Sequence, residues 1–302
     1  NQTVGPDVEA AVAAMQNGEI VMLENVRFLP GETENDPELS KQLAALGDVF
    51  VNDAFGTAHR AHCSTEGVGH ILPGVMGFLM DKEITVLGKA LEEAEHPFVA
   101  IVGGSKISDK IGVVQNLLEK VDCLMIGGGM ANTFLKAKGY EMGTSLVEND
   151  KTALALEIMD HAEKLGKKLL IPVDLTVAAG IDQPETAQTV TVDQVPADRM
   201  ALDIGPETVK LYQQAVADAK TVIWNGPMGV FEVDAFAVGT GAVAQAVASS
   251  GAYSIVGGGD SVASIEKAGL NDKINHISTG GGASLEFLEG KKLPGIEVLL
   301  DK

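Results

Sequence analysis

Two lysines after a glycine pair are the residues whose types and spacing point most directly to chemistry. The segment G-G-S-K-I-S-D-K-I begins at Gly103 and places Lys106 and Lys110 four residues apart. On a helix this spacing puts both side chains on one face, and the dipole at a helix N-terminus disfavours cations. Two cations held there indicate an anion beside them, unless the pair is an ordinary solvated basic face.

An aspartate after three glycines suggests a metal site. The segment G-G-G-D-S begins at Gly257 and places Asp260 at a predicted strand end, beside backbone that could hold phosphates. A carboxylate would repel phosphate unless a cation lay between them, and Mg²⁺ binds through one or two carboxylates plus phosphate oxygens. The alternative is a helix N-cap, a position that aspartate also favours.

A glutamate and two arginines complete the polar candidates. Glu232 ends the segment W-N-G-P-M-G-V-F-E, where it could accept hydrogen bonds from sugar hydroxyls or be an exposed acid after a tight turn. Arg27 ends an apolar segment in L-E-N-V-R-F, and Arg60 lies between His59 and His62 in T-A-H-R-A-H. Arginines suit anions with planar oxygen groups, although each of these could be an ordinary surface residue.

The elements that must position these residues are six short apolar runs, each ending in glycine. They begin at Phe98, Cys123, Met200, Thr221, Tyr253 and His276. Such runs between helical stretches are typical of strands buried on both faces of a parallel sheet. At the carboxyl edge of that sheet, helix N-termini offer free N–H groups to phosphate. We therefore expect all six turns on one rim around a phosphate-rich ligand, unless the glycines only make tight turns.

Other segments extend the same alternating pattern. In the first region we expect a helix from Pro6 to Gly18, a strand from Ile20, a helix from Pro37 to Leu46 and a strand from Asp48. A charged helix from Asp81 to about Glu95, stopped by Pro97, would join two domains. Farther along, we expect a helix from Lys151 to Gly166 and an edge strand or hairpin from Thr186.

Composition limits the classes of partner. The 302 residues favour two domains, and 22 Lys and Arg against 42 Asp and Glu give a formal charge of −20. This charge argues against nucleic acid or an anionic membrane as a partner. Cys63 and Cys123 lack C-x-x-C spacing, which favours a reducing compartment without disulfides or zinc. The P-loop and dinucleotide fingerprints are absent from the sequence.

Several motifs occur together and in order: L-E-N-V-R-F, V-N-D-A-F-G-T-A-H-R-A-H, G-G-S-K-I-S-D-K-I, G-G-G-M-A-N-T-F, D-I-G-P-E-T, W-N-G-P-M-G-V-F-E, G-G-G-D-S and S-T-G-G-G-A-S-L-E-F. In these motifs the chain closely resembles the phosphoglycerate kinase family over essentially its whole length. The resemblance implies an α/β enzyme with two doubly wound, parallel-sheet (Rossmann-like) domains joined by a helix, the first domain being incomplete. It implies reversible, Mg²⁺-dependent phosphoryl transfer from 1,3-bisphosphoglycerate to ADP, giving 3-phosphoglycerate and ATP.

The resemblance also implies roles for individual residues. Lys106, Lys110 and Gly281 would be catalytic, with Lys110 also contacting the nucleotide phosphates. Arg27 and Arg60 would bind the substrate phosphate, and Asp260 would hold Mg²⁺. The nucleotide-binding positions would be Gly103, Gly104, Lys110, Gly127, Gly128, Asn225, Pro227, Glu232, Gly258, Gly259, Asp260 and Ser261. Family members usually carry threonine at the last of these, so the hydroxyl is kept.

The resemblance divides the chain into the remainder of a phosphoglycerate-binding domain (1–80), an interdomain helix (81–97), a nucleotide-binding domain (98–288) and a tail returning to the first domain (289–302). The family's opening R-V-D-F-N-V-P and S-H-L-G-R-P segments have no counterpart here. We expect a cytoplasmic monomer that acts on small molecules. The alternatives are a non-catalytic MgADP-binding fragment and a nicotinamide-dependent dehydrogenase, against which the missing fingerprint argues.

Overall fold

A computed structural model describes residues 2–299 of the chain, which belong to two compact units. The first contains the described residues up to Thr85 and those from Lys291 onward, and the second is Val86–Gly290. The strands are β1 (Phe50–Asn52), β2 (Gly74–Met76), β3 (Phe98–Val102), β4 (Cys123–Ile126), β5 (Lys168–Leu170), β6 (Asp174–Ala178), β7 (Gln188–Thr191), β8 (Met200–Ile204), β9 (Thr221–Asn225), β10 (Tyr253–Gly257) and β11 (His276–Ile277).

The helices are α1 (Pro6–Ala13), α2 (Pro37–Ala44), α3 (Phe78–Glu92), α4 (Ile111–Lys120), α5 (Gly129–Ala137), α6 (Thr152–Lys164), α7 (Pro206–Ala217), α8 (Val238–Ser249), α9 (Gly259–Lys267), α10 (Gly282–Leu288) and α11 (Pro294–Glu297). The helices predicted from Pro6, Pro37, Asp81 and Lys151 are present, each ending earlier than expected. Among the described helices, none combines the length and the apolar character that a membrane crossing requires.

The second unit is built on a six-stranded parallel sheet with the strand order β11-β10-β9-β3-β4-β5. Every residue of β3, β4 and β9 is buried, which confirms the prediction of strands covered on both faces. Trp224 and Tyr212 lie in the hydrophobic core on this sheet. The Tyr212 hydroxyl donates to the carbonyl of Ile126 at 2.5 Å, so the polar end of a wholly buried ring is satisfied.

A second sheet of three antiparallel strands, in the order β7-β6-β8, corrects the expectation of a single rim. The run from Met200 is a strand as predicted, but it is β8 of this second sheet and pairs with β6 rather than with the parallel strands. β7 confirms the edge strand expected after Thr186. β6 was not predicted. Because its partner was unknown, β8 was assigned to the parallel sheet with the other apolar runs.

The first unit contains a parallel pair, β1 and β2, with Phe50 opposite Gly74. The prediction of a strand from Ile20 is wrong. Residues 20–25 are irregular, and Ile20 and Met22 are 89% and 91% exposed. An apolar run becomes a strand only beside a ladder partner, and among the described residues β1 and β2 pair only with each other. The buried Asn52 amide donates to the carbonyls of Thr65 and Gly295, both at 3.1 Å, and so ties α11 to this unit.

Candidate functional site

Glycine turns follow β3, β4 and β9, and several of these glycines are required because backbone segments touch. A Cβ on Gly103 would overlap the carbonyl oxygen of Pro227, and one on Gly226, at φ 100°, would overlap that of Gly103. A Cβ on Gly127 would overlap the Met228 sulfur. These contacts fix the turns against one another, so part of the glycine pattern has the structural explanation that the sequence left open.

Next to these turns lies a cavity of about 300 Å³ in the second unit. Its polar rim comes from the carboxyl ends of β10, β9, β3 and β4, which are neighbours in the sheet. The predicted residues that line it are Gly104, Gly128, Pro227, Glu232 and Asp260, whereas Gly103, Gly127, Asn225 and Gly258 are not among its lining residues. Volume and rim fit a small ligand with one polar end.

The apolar wall of the cavity was not predicted from the sequence. It is formed by side chains of the three-stranded sheet and of the turn after β9, among them Leu175, Met200, Leu202 and Val230. The sequence of β8 carries no signal that singles out this wall, since all five residues of the strand are among the cavity lining.

Asp203, also in the cavity lining, is a second residue that the sequence analysis missed. Its carboxylate is buried and accepts hydrogen bonds from the N–H groups of Gly239 at 2.7 Å and Ile204 at 2.9 Å. Burial raises the pKa of this carboxyl to about 7, against the opposing effect of the two N–H donors. A Cβ on Gly229 or Gly239 would overlap the carboxylate, so Asp203 packs against both ends of the turn that carries Glu232.

The two lysines are not on one helix, which corrects the spacing argument. Residues 103–110 form an irregular loop, and α4 begins at Ile111 with Lys110 as its N-cap. Lys106 is exposed, whereas Lys110 is half-buried and its ammonium donates to Oδ1 of Asn225. Burial lowers the pKa of Lys110, and the nearby carboxylates, Asp260 first, partly oppose that shift. A desolvated ammonium at a sheet edge is suited to binding an anion.

Asn225 gives this edge a second free donor. Its side chain is buried at the end of β9, and its Nδ2 has no hydrogen-bond partner within the described part of the chain. A Cβ built on Gly258 would lie 3.1 Å from that Nδ2, so the amide faces the turn that starts α9. Gly258 is the N-cap of α9, and no side chain caps the helix. The buried Ser261 hydroxyl accepts from the Gly226 N–H at 2.5 Å, which fixes this turn to the next.

Asp260 lies in the first turn of α9, exposed, and is not its N-cap. Within the described chain no group hydrogen-bonds to its carboxylate, and Lys110 is close enough to interact with it electrostatically. One carboxylate without a hydrogen-bond donor, beside the uncapped N–H groups at the start of α9, fits Mg²⁺ that would arrive with a phosphate ligand. Among the described residues, no group of three or more His, Cys, Asp or Glu side chains could hold a metal alone.

Gly281 is the exposed N-cap of α10, at φ 52°, and does not line the cavity. Trp224, in contrast, has a structural place: it is wholly buried, and its indole N–H donates to the Gly226 carbonyl at 2.6 Å. The tryptophan therefore holds the turn after β9 in place.

The first unit gathers the predicted arginines around His62. Arg27 and His62 line a cleft of about 410 Å³ together with Glu32, Asn52 and Asp53. Burial, then Arg27, and more weakly Arg60 and His59, lower the pKa of His62, while Glu32 opposes them. Arg60 does not line the cleft, but it is close enough to His62 to lower the pKa of that imidazole. This is a cationic cluster with exposed guanidinium groups.

Comparisons with known proteins show which family the chain resembles. The profile of the family described as "Phosphoglycerate kinase" matches residues 1–291. Proteins named phosphoglycerate kinase from Moorella thermoacetica and Pelotomaculum thermopropionicum are 62% and 59% identical to the chain. This chain covers 77% and 76% of the lengths of these two proteins. The matches include 100% and 99% of this chain.

Two solved structures show the same fold. The phosphoglycerate kinase from Coxiella burnetii superposes with a TM-score of 0.90 at 49% identity, over 95% of this chain and 74% of that one. The enzyme from Pyrococcus horikoshii OT3 gives 0.81 at 37% identity, over 99% and 76%. From the matched family profile, the identity to these relatives and the shared fold together, it follows that this chain belongs to the phosphoglycerate kinase family.

Proposed function

We propose that the cavity of the second unit binds ADP and ATP with the phosphates toward Lys110 and the base against the apolar wall. One observation carries this proposal: the half-buried ammonium of Lys110, the unpaired Nδ2 of Asn225 and the uncapped start of α9 lie next to one another, and Asp260 in the first turn of α9 lines the cavity. Three kinds of donor on one edge suit a group with several anionic oxygens.

On this reading Glu232 and Asp260 have separate tasks. Glu232 is exposed and lines the cavity, where its carboxylate can accept from ribose hydroxyls. Asp260 would hold Mg²⁺, which when bound neutralises charge on the phosphate oxygens. The remaining nucleotide positions, Gly103, Gly127, Gly258, Gly259 and Ser261, would act through the turn geometry that they maintain.

The reaction follows from the chemistry of the substrate. We propose that the chain moves a phosphoryl group reversibly between the carboxyl group of 3-phosphoglycerate and ADP. Because the leaving group of an acyl phosphate is a carboxylate, the reaction requires positioning and charge stabilisation more than a strong base. Lys106, exposed in the loop after β3, is proposed to stabilise the moving phosphoryl group, and Gly281 is proposed to act through the main chain at the start of α10.

The cationic cluster of the first unit is proposed to bind the phosphate of the glycerate substrate. Arg27 and Arg60 are both exposed, and the charge of each lowers the pKa of His62. Two guanidinium groups match the oxygens of a phosphate better than lysines would.

The proposed function is tested by titrating the chain with MgADP in a calorimeter. We expect saturable binding that is lost in Lys110→Ala and kept in the matched control Lys210→Ala. Lys210 is an exposed lysine that pairs with Glu207 at 2.7 Å on α7. Circular dichroism would show whether each variant is folded. Equal binding by both variants, or none by the folded wild-type chain, would contradict the proposed nucleotide site.

A further inference from the structure

The loop of residues 103–110, which we call the lysine loop, is held at three points. At its start the Gly103 N–H donates to the Asn225 carbonyl at 2.9 Å, and the Gly104 carbonyl accepts from the Met130 N–H at 3.0 Å. At its end Lys110 bonds to Asn225. The third point is Glu148, which holds the middle of the loop. Lys106 lies between the first point and the third.

Glu148 makes several contacts with this middle section. Its carboxylate accepts from the Ser108 hydroxyl at 2.5 Å and from the Ser108 N–H at 3.1 Å. Burial raises the pKa of Glu148, but the hydrogen bonds from Ser108 and the favourable effect of the nearby Ile107 N–H outweigh it, so the net pKa is lowered. The carboxylate is therefore the form that the loop requires.

Glu148 is itself fixed from the core side. Its N–H donates to the buried Thr133 hydroxyl at 3.1 Å, and the buried Asn132 amide donates to the Leu146 carbonyl at 3.2 Å. Both anchors are on α5, which begins at the glycine turn after β4 that lines the cavity. A short chain of hydrogen bonds thus connects a rigid helix to the residues beside Lys106.

We propose that Glu148 is a positioning residue that keeps Lys106 in place for phosphoryl transfer by clamping Ser108 and Ile107. This inference rests on the proposed role of Lys106 in the reaction. It assigns Glu148 no contact with substrate. The parts of the lysine loop that line the cavity have their own anchors at Gly103 and Gly104, so loss of Glu148 acts on kcat and leaves nucleotide affinity nearly unchanged.

A purely structural surface contact is the simpler alternative, and it predicts a different pattern. Such a contact would lower thermal stability without separating kcat from KM. A positioning contact misplaces one catalytic group, and a displacement of about 1 Å can lower a rate about 100-fold. The ratio of kcat loss to KM change therefore distinguishes the two.

The test compares Glu148→Ala with the control Asp150→Ala, an exposed acid two residues away that pairs with Lys151 at 3.4 Å. We expect Glu148→Ala to lower kcat about 10- to 100-fold with KM for ADP within about twofold, and Asp150→Ala to resemble wild type. Ser108→Ala should show a smaller loss, and Ser108→Thr, which keeps the hydroxyl, should restore kcat. If Glu148→Ala fails to fold, the two Ser108 variants carry the test.

Amide hydrogen exchange supplies a readout independent of turnover. The Ile107 and Ser108 amides should exchange faster in Glu148→Ala than in Asp150→Ala, while the Gly103 amide keeps its protection. If the wild-type chain does not turn over, the proposed function has failed, and exchange alone decides whether the clamp exists. Unchanged exchange at both amides, or equal kcat in the two acidic variants, overturns the inference.

Discussion

The two regions proposed to bind phosphate are built differently. At the edge of the six-stranded sheet, the donors are main-chain N–H groups, a buried amide and one half-buried lysine, and glycine contacts fix their turns. In the cluster of the first unit, the donors are exposed guanidinium groups around a histidine. The first region depends on backbone geometry and the second on charge, so they should differ in their response to substitution, salt and pH.

The largest effect is expected for Lys106→Ala, which removes an exposed positive charge from the loop after β3. Loss of one such contact typically costs about 3–4 kcal/mol of transition-state stabilisation. We therefore expect kcat to fall by a factor of several hundred while KM for ADP changes little. Steady-state kinetics with Lys210→Ala as control checks this, and an unchanged kcat would remove Lys106 from the proposed mechanism.

Arg60→Ala tests the charge-built region. A hydrogen bond to a charged group contributes about 1.5–3 kcal/mol, so 3-phosphoglycerate should bind at least about tenfold more weakly, with MgADP affinity unchanged. Because the guanidinium is exposed, added salt should weaken the wild-type interaction as well. Calorimetry at two ionic strengths makes the measurement. Lys41→Ala is the control, since Lys41 is an exposed cation of the same unit that pairs with Glu38; equal losses in both variants would contradict a specific site.

Asn225→Ala tests the backbone-built region. We expect MgADP affinity to fall by about 1–2 kcal/mol, as is typical for one hydrogen-bonding group, and the loss should depend little on salt. Asn116→Ala is the matched control, because that amide is also partly buried and donates to the Leu288 carbonyl at 2.7 Å, outside the cavity lining. A strongly salt-dependent loss would show that charge dominates here too and would remove the contrast between the regions.

Asp203→Asn tests whether the region around the cavity has its own dependence of stability on pH. The folded pKa of about 7 lies above the ordinary value of 3.8, so between these values the folded chain holds a proton that the unfolded chain releases. The free energy of unfolding should therefore decrease as pH rises through this range, by at most about 1.4 kcal/mol per pH unit for one group. Denaturant unfolding of the wild type and Asp203→Asn measures the difference in slope. Identical slopes would mean that Asp203 ionises normally.

The sequence predicted five of the six strands of the parallel sheet, because buried strands such as β3 and β9 are continuous apolar runs ending in glycine, and it missed β5, which does not end in glycine. It failed where structure depends on partners far along the chain. β8 looks like the other runs, and only its pairing with β6 shows that it belongs to a second sheet. The run from Ile20 is as apolar as a core strand, yet none of the described strands pairs with it.

The sequence could select residues for the proposed site where the residue type itself carries the chemistry, as at Lys110, Asp260 and the arginines, and the roles of these residues stay predictions. Spacing misled us for the lysines, since a separation of four residues also occurs in the loop before α4. Asp203 and Glu148 were missed because nothing in their types distinguishes them from the chain's many other acids. Their roles follow from the N–H groups that they meet, which the sequence alone does not place.

The separate origin of the cavity's two ends has an evolutionary consequence. The phosphate end depends on turns so closely packed that almost any side chain at Gly103 or Gly226 would disrupt them. The apolar end is a wall of β6 and β8 side chains in a different sheet, where substitutions of similar volume are tolerated. In the nucleotide site that we propose, base preference can therefore drift, or be redesigned, by changing Met200 or Leu202 while the turns at the phosphate end stay fixed.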